Sequence, residues 1–152
     1  MSDPNIVSVR PAVHEDYEKW YEYWSAYQNF YKVDLGEEIT GITWSRFFND
    51  AEPIFCAVAA DQGQTHGFVH YVFHRSTWGR SDFCYLEDLY VCPSVRGQQV
   101  GKKLIEYVQL QAKKKGCDRL YWHTQETNKT AQRLYDWIAE KPGVIEYRMP
   151  LK

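Results

Sequence analysis

The chain has 152 residues, 44% apolar, 25% charged and 16% aromatic, with a formal net charge of −2 at pH 7. That composition excludes a disordered or low-complexity chain and predicts a single globular domain over residues 1–152, large enough to bury a real core. The longest apolar run, residues 54–60, falls far short of the about 20 residues that a bilayer-spanning helix needs, and the polar start (Asp3, Asn5, Arg10) lacks a signal-peptide h-region, so a soluble, cytoplasmic protein with no membrane partner is expected.

From the N-terminus, Ile6, Val7 and Val9 predict a first strand over residues 5–10 that ends at Pro11. Tyr17, Trp20, Tyr21, Trp24, Tyr27 and Tyr31 then recur at helical spacing over residues 14–31, with Glu15 and Asp16 in the first turn, where the helix dipole favours acids. A short helix over 43–49 should turn Trp44, Phe47 and Phe48 inward. Strands over 54–60 and 67–74 are joined through Asp61-Gln62-Gly63-Gln64, and a third over 83–91 stops before Pro93. Val100, Leu104, Ile105, Val108 and Ala112 form one face of a long helix with Gly116 as its stop. A strand at 120–124 precedes a helix capped by Asn128 with Ala131, Leu134, Tyr135 and Ile138 facing inward; Pro142-Gly143 breaks it, and 144–149 reads as a last strand. This order predicts an α+β fold, a mixed and mostly antiparallel sheet with helices on both faces.

The near-neutral total conceals an asymmetry: residues 1–95 carry 6 basic and 14 acidic side chains, and residues 96–152 carry 12 and 6, for nets of −8 and +6. This fits two ligands of opposite charge, or merely solvated helix faces. Lys113, Lys114 and Lys115 read as a helix end that complements the dipole, and with no interleaved aromatics they predict no nucleic-acid partner. The four cysteines, Cys56, Cys84, Cys92 and Cys117, form no CxxC pair and read as reduced thiols. His66, His70 and His74 share one strand face, but an i, i+4 step along a strand spans about 13 Å, so they read as ordinary polar strand positions and no metal is expected.

The stretch Arg96-Gly97-Gln98-Gln99-Val100-Gly101-Lys102-Lys103 lies between a strand end and a helix start. Successive backbone N–H groups there, with the helix dipole behind them and Arg96, Lys102 and Lys103 nearby, would cradle an anion. The alternative is a glycine turn that only starts a helix. It is neither a Walker loop nor a GxGxxG fingerprint, because the spacing is wrong for both.

Tyr85-Leu86-Glu87-Asp88-Leu89-Tyr90-Val91, Pro93, this loop, its amphipathic helix, and Asn128, Ala131 and Leu134-Tyr135 downstream together resemble the GNAT superfamily of acetyl-CoA-dependent N-acetyltransferases over essentially the whole chain. The strand looks most like the branch holding the spermidine/spermine, thialysine and yeast histone and polyamine acetyltransferases. Arg96 and Gly101 match the loop motif, while Gln99 stands at its middle glycine position. The resemblance implies that the Leu89, Tyr90 and Val91 backbone pairs with the pantetheine arm of acetyl-CoA. The amides of Arg96, Gly97, Gln98, Gln99, Val100, Gly101 and Lys102 would hold the pyrophosphate, Asn128 and Ala131 would flank the cofactor, and Tyr135 would lie near its sulfur. It also implies a homodimer.

The reaction makes its own demands. A primary amine with pKa about 10.4 is neutral in about one molecule in 2,500 at pH 7, a penalty of about 4.6 kcal/mol before attack. Strict alternation along 83–91 puts Glu87 on one face with Tyr85 and Leu89, and Asp88 on the other with Leu86 and Tyr90. Glu87 matches the family's base and Asp88 reads as structural or substrate-contacting, although both carboxylates could be structural acceptors. Tyr135 is expected to protonate the leaving thiolate; packing in the core is its alternative. The Tyr/Trp stripe of the first helix reads as mostly core; its Trp24 and Tyr27, near Asp34, Glu37 and Glu38, could also wall a pocket for a small cationic amine or a lysine-containing substrate through cation–π contact. A non-catalytic acyl-CoA-binding module is the other function considered.

Overall fold

The computed structural model describes residues 6–95 and 99–152, which fall into two compact units, Met1–Trp122 and His123–Lys152. In the first unit, strands β1 (Ser8–Pro11), β2 (Ile54–Asp61), β3 (Gln64–His74), β4 (Phe83–Val91) and β5 (Arg119–Trp122) form one sheet in sequential order. The first three pairings are antiparallel and β4–β5 is parallel. Helix α3 (Val100–Lys115) supplies the crossover that a parallel pair requires.

Helices cover both faces of the sheet. A 3-10 turn, His14–Asp16, leads into α1 (Tyr17–Phe30), which buries Trp20, Tyr23 and Trp24 against the β3 positions Phe68 and His70. Neighbouring residues of a strand point to opposite faces, so Tyr71 and Phe73 lie on the other side, where α3 presents Tyr107 and Lys115. The α3 residues expected to be buried, Val100, Leu104, Ile105, Val108 and Ala112, are the ones that are. Gly116 ends α3 with φ 80, and Cys117 N–H closes back on the Ala112 carbonyl at 2.9 Å. Gln62 and Gly63, with φ of 42 and 79, make the two-residue turn of the β2–β3 hairpin.

Two segments depart from the sequence expectation. The second helix, α2, spans Gly36–Arg46 rather than 43–49, and Phe47 and Phe48 follow it. Its β-branched residues Ile39, Thr40, Ile42 and Thr43 are weak helix formers; the helix is held by docking, with Trp44 against Trp20 at 4.7 Å between ring centroids. The strand expected at 144–149 does not form. Residues 139–152 are exposed and enter no ladder, and alternation alone cannot make a strand without a neighbour to receive its hydrogen bonds. The second unit contains α4 (Lys129–Ile138), capped as expected by Asn128, whose side chain accepts from Ala131 N–H at 3.2 Å.

Candidate active site

The antiparallel register of β3 and β4 slips by one residue at the centre of β4. His70 pairs with Asp88 but Tyr71 pairs with Leu86, which leaves Glu87 as the extra residue of a β-bulge. Cross-strand partners share a face, so Asp88 and Tyr90, opposite His70 and Phe68, lie on the α1 side, while Leu86, opposite Tyr71, lies on the α3 side. The bulge therefore reverses the strict alternation expected from sequence: Asp88 and Leu86 do not share a face. Tyr85 stacks on Tyr121 of β5 at 5.0 Å, and the Tyr121 hydroxyl lies 2.7 Å from His74 Nε2.

Glu87 is reachable by solvent, yet crowded by protein. That crowding raises its carboxyl above the usual value; the Asp88 charge adds to the rise, and a charge on His70 would oppose it. Asp88 is itself anchored, with Oδ2 2.9 Å from His70 Nδ1.

Past Leu86 the β4–β5 pairing ends, so Leu89, Tyr90 and Val91 run beyond the last residue of β5. On their other side β3 comes unusually close. A Cβ on Gly67 would overlap the Tyr90 carbonyl oxygen and lie 3.2 Å from Val91 Cα. The chain then enters α3 through Gln99, whose φ of 59 is left-handed and whose side chain does not cap the helix. Lys103 Nζ donates to the Val7 carbonyl at 3.3 Å, and Lys102 Nζ lies 3.6 Å from Glu106 Oε1, so both expected anion-loop lysines have protein partners. Arg96, Gly97 and Gln98 lie outside the described residues.

Trp24 is buried between Trp20 and Tyr27, with ring centroids at 5.9 and 5.6 Å, and its indole Nε1–H has no acceptor among the described residues. Nearer the start of α1, Tyr17, Tyr21 and Glu37 line an open cavity of about 430 Å³. In the second unit, Ala131, Leu134, Tyr135 and Ile138 are half-buried along one face of α4, while Arg133, Asp136 and Trp137 are exposed.

The model of the Acetyltransferase (GNAT) family matches residues 10–137. The chain belongs to the GNAT acetyltransferase family. It is 34% identical over 144 residues to the D-amino-acid N-acetyltransferase HPA3 of Saccharomyces cerevisiae, covering 93% of this chain and 89% of that one. It is 39% identical over 88 residues to the thialysine N-epsilon-acetyltransferase of Mus musculus, covering 54% and 51%. Among solved structures, AAC(6')-Iy in complex with a bisubstrate analogue of CoA superposes with a TM-score of 0.81 at 21% identity, over 96% of this chain and 99% of that one. Like its family, this GNAT chain is an acetyl-CoA-dependent N-acetyltransferase acting on amines.

Three features of this GNAT site escaped the sequence reading. Strand spacing alone reads His70 as an ordinary polar position, although a histidine inside the apolar run Phe68-Val69-His70-Tyr71-Val72 signals a buried group needing partners. The bulge at Glu87 depends on a pairing that no local pattern encodes. Gly67 is a close-approach glycine, and an isolated glycine inside a strand pattern was its only trace.

Proposed function

We propose that residues 1–152 form one transferase domain that moves acetyl from acetyl-CoA to a small cationic primary amine, such as a polyamine, an amino acid or a lysine-like acceptor, by direct attack in a ternary complex. The observation that carries this reading is Glu87, a solvent-reachable carboxylate with raised proton affinity on the bulge of β4. Glu87 takes the proton of the acceptor ammonium, directly or through water. The amine nitrogen bonds to the thioester carbon, the C–S bond breaks as Tyr135 gives its phenolic proton to the departing thiolate, and the second proton leaves the nitrogen to solvent, from which Tyr135 is reprotonated. Asp88 contacts the acceptor or fixes its neighbours.

The backbone of Leu89, Tyr90 and Val91 runs along the pantetheine arm, the amides from Arg96 to Lys102 (Gly97, Gln98, Gln99, Val100 and Gly101 between them) take the pyrophosphate, and Asn128 and Ala131 flank the other side of the cofactor. The anion-binding character of a helix N-terminus supports this assignment. For the acceptor, the hollow of Tyr17, Tyr21 and Glu37 supports a cation, since two phenol faces and a carboxylate suit an ammonium group. Trp24 and Tyr27, stacked with ring centroids 5.6 Å apart, complete the acceptor wall. The proposal includes a homodimer and a cytoplasmic site of action, with no nucleic-acid partner.

The test is release of free CoA thiol from acetyl-CoA over a panel of polyamines, D- and L-amino acids, thialysine, lysine analogues and histone-tail peptides. Small cationic amines should support turnover. Acetyl-CoA binding with no release for any amine overturns the transfer reading, and a preferred neutral or anionic acceptor overturns the cation assignment. Tyr135→Phe should lower kcat by about 10- to 10,000-fold with the fold retained; unchanged kcat moves the acid elsewhere.

A further inference from the structure

His70 stands in the middle of β3, 1% exposed, among the rings of Trp20, Trp24, Phe47 and Phe68. A buried imidazole is costly unless both nitrogens are paired, and here both are. Trp20 Nε1 lies 2.9 Å from Nε2, and Asp88 Oδ2 lies 2.9 Å from Nδ1. An indole N–H only donates, so Nε2 must present a lone pair. The single ring proton then belongs to Nδ1 and is donated to Asp88. An imidazolium would set two N–H groups head-on across 2.9 Å in a pocket closed to water.

We infer that His70 is a positioning residue of the transfer site: Trp20 holds its ring as the neutral Nδ1–H tautomer, and that proton fixes the ionised Asp88 carboxylate beside Glu87. This rests on the reading of Glu87 as base. The chain of hydrogen bonds runs from α1 through β3 to β4 and ends on the residue next to the bulge, so it ties the first helix to the place where Glu87 leaves the ladder. The titratable groups facing His70 are Asp88 and Glu87 from β4 and the Cys56 thiol, its partner across β2. Helix α1 and the segment after α2 present rings to it. With His70 neutral, the Asp88 charge acts on Glu87 uncancelled and adds to the effect of burial in making it a stronger base than a free carboxylate. A cationic His70 would undo this.

Two-bond proton–nitrogen NMR on the wild-type protein reads the tautomer directly and requires no variant to fold. His70 should show the Nδ1–H neutral pattern at pH 7; the Nε2–H tautomer or an imidazolium there overturns the inference. Trp20→Phe keeps an aromatic ring and removes the donor, so the Nε2–H tautomer should appear beside the Nδ1–H tautomer in the His70 spectrum at pH 7; an unchanged His70 spectrum overturns the lock. His70→Asn keeps an N–H near the Nδ1 position and should hold kcat within about threefold. His70→Leu, which removes it, should lower kcat about tenfold or more with little change in KM for acetyl-CoA. Equal kcat in the two variants reduces His70 to packing and overturns its positioning role. A locked tautomer together with an unaltered pH profile in Glu87→Gln would instead refute Glu87 as base, so the two failures are distinguishable.

Discussion

Glu87 can accept a proton only when ionised, so activity is present above its pKa and lost below it. Crowding and the Asp88 charge raise that pKa, which moves the acid limb of the rate profile above the usual carboxylate value of about 4.3. In Glu87→Gln the limb should vanish, the rate should fall by about 10²–10⁴-fold at neutral pH, and the profile should move to higher pH, where the amine deprotonates unaided. A profile superimposable on wild type would assign the base to another group or to solvent. Gln99 offers a second test. Its φ of 59 is the conformation that glycine adopts freely, which gives a physical reason for the glycine the family motif places there. A left-handed non-glycine residue costs about 1–2 kcal/mol, and glycine's extra unfolded freedom takes back about 0.5–1 kcal/mol. Gln99→Gly should therefore raise Tm by about 2 °C and leave KM for acetyl-CoA equal or lower; a lower Tm would mean that the Gln99 side chain stabilises the loop. Residue identities at these two positions were legible in the sequence through the motif. The partners of His70 were not, because Trp20 and Asp88 reach it from 50 and 18 residues away.

At the scale of elements, the close passage of β3 under the end of β4 makes the sharpest prediction. Gly67 lies opposite Val91, and a methyl group there would strike backbone, which cannot rotate away as a side chain would. Gly67→Ala should push Tyr90 and Val91 outward, destabilise the protein by about 1–3 kcal/mol and raise KM for acetyl-CoA about tenfold. If thermal stability falls while that KM is unchanged, the backbone of Leu89–Val91 does not line the cofactor. Most elements were legible because their signals are local: the hairpin turn at Gln62-Gly63, the α3 stripe and its Gly116 stop, the Asn128 cap. Those that were misread depend on tertiary contact. Helix α2 lacks helix-forming composition and exists through Trp44 docking on Trp20. Residues 144–149 have the alternation of a strand without a ladder. The bulge at Glu87 arises from two strands whose spacing is set by both partners, so periodicity within β4 alone pairs Asp88 correctly with Tyr90 but places Leu86 on the wrong face. The start of α1 is also held by contact. Arg10 of β1 and Val13 N–H both bond the Asp16 carboxylate, with Arg10 Nη1 2.8 Å from Oδ2. Burial works to raise the Asp16 pKa, yet these donors outweigh it and the net shift is downward. A lowered folded pKa gives stability that is present above the unfolded value of about 3.9 and lost as pH falls through the folded one. The stability gap between wild type and Asp16→Asn should thus be widest near neutral pH and close below about pH 4; a gap independent of pH would assign the Asp16 effect to shape alone.

For the molecule as a whole, charge is distributed along the chain in a way the net value of −2 hides. The sign changes at Arg96, from −8 over residues 1–95 to +6 over residues 96–152. The acidic part contains Glu87, Asp88 and the Tyr17, Tyr21 and Glu37 hollow, and the basic part contains the loop into α3. The two substrates proposed have matching opposite charges: a cationic amine and a polyanionic thioester. Fields of this kind act over a Debye length, which shrinks from about 30 Å at 0.01 M salt to about 8 Å at 0.15 M. Raising salt across that range should therefore raise KM for a polyamine and KM for acetyl-CoA, each severalfold, with kcat little changed. A zwitterionic amino acid provides the control, since its charges cancel at a distance and its KM should hardly move. Equal salt response for the polyamine and the zwitterion would mean that the acidic side chains of residues 1–95 are solvated surface without a part in choosing the acceptor. A response confined to the polyamine and acetyl-CoA would place acceptor selection in long-range attraction as well as in the hollow, and Glu37→Gln would then weaken only the part of it that survives high salt.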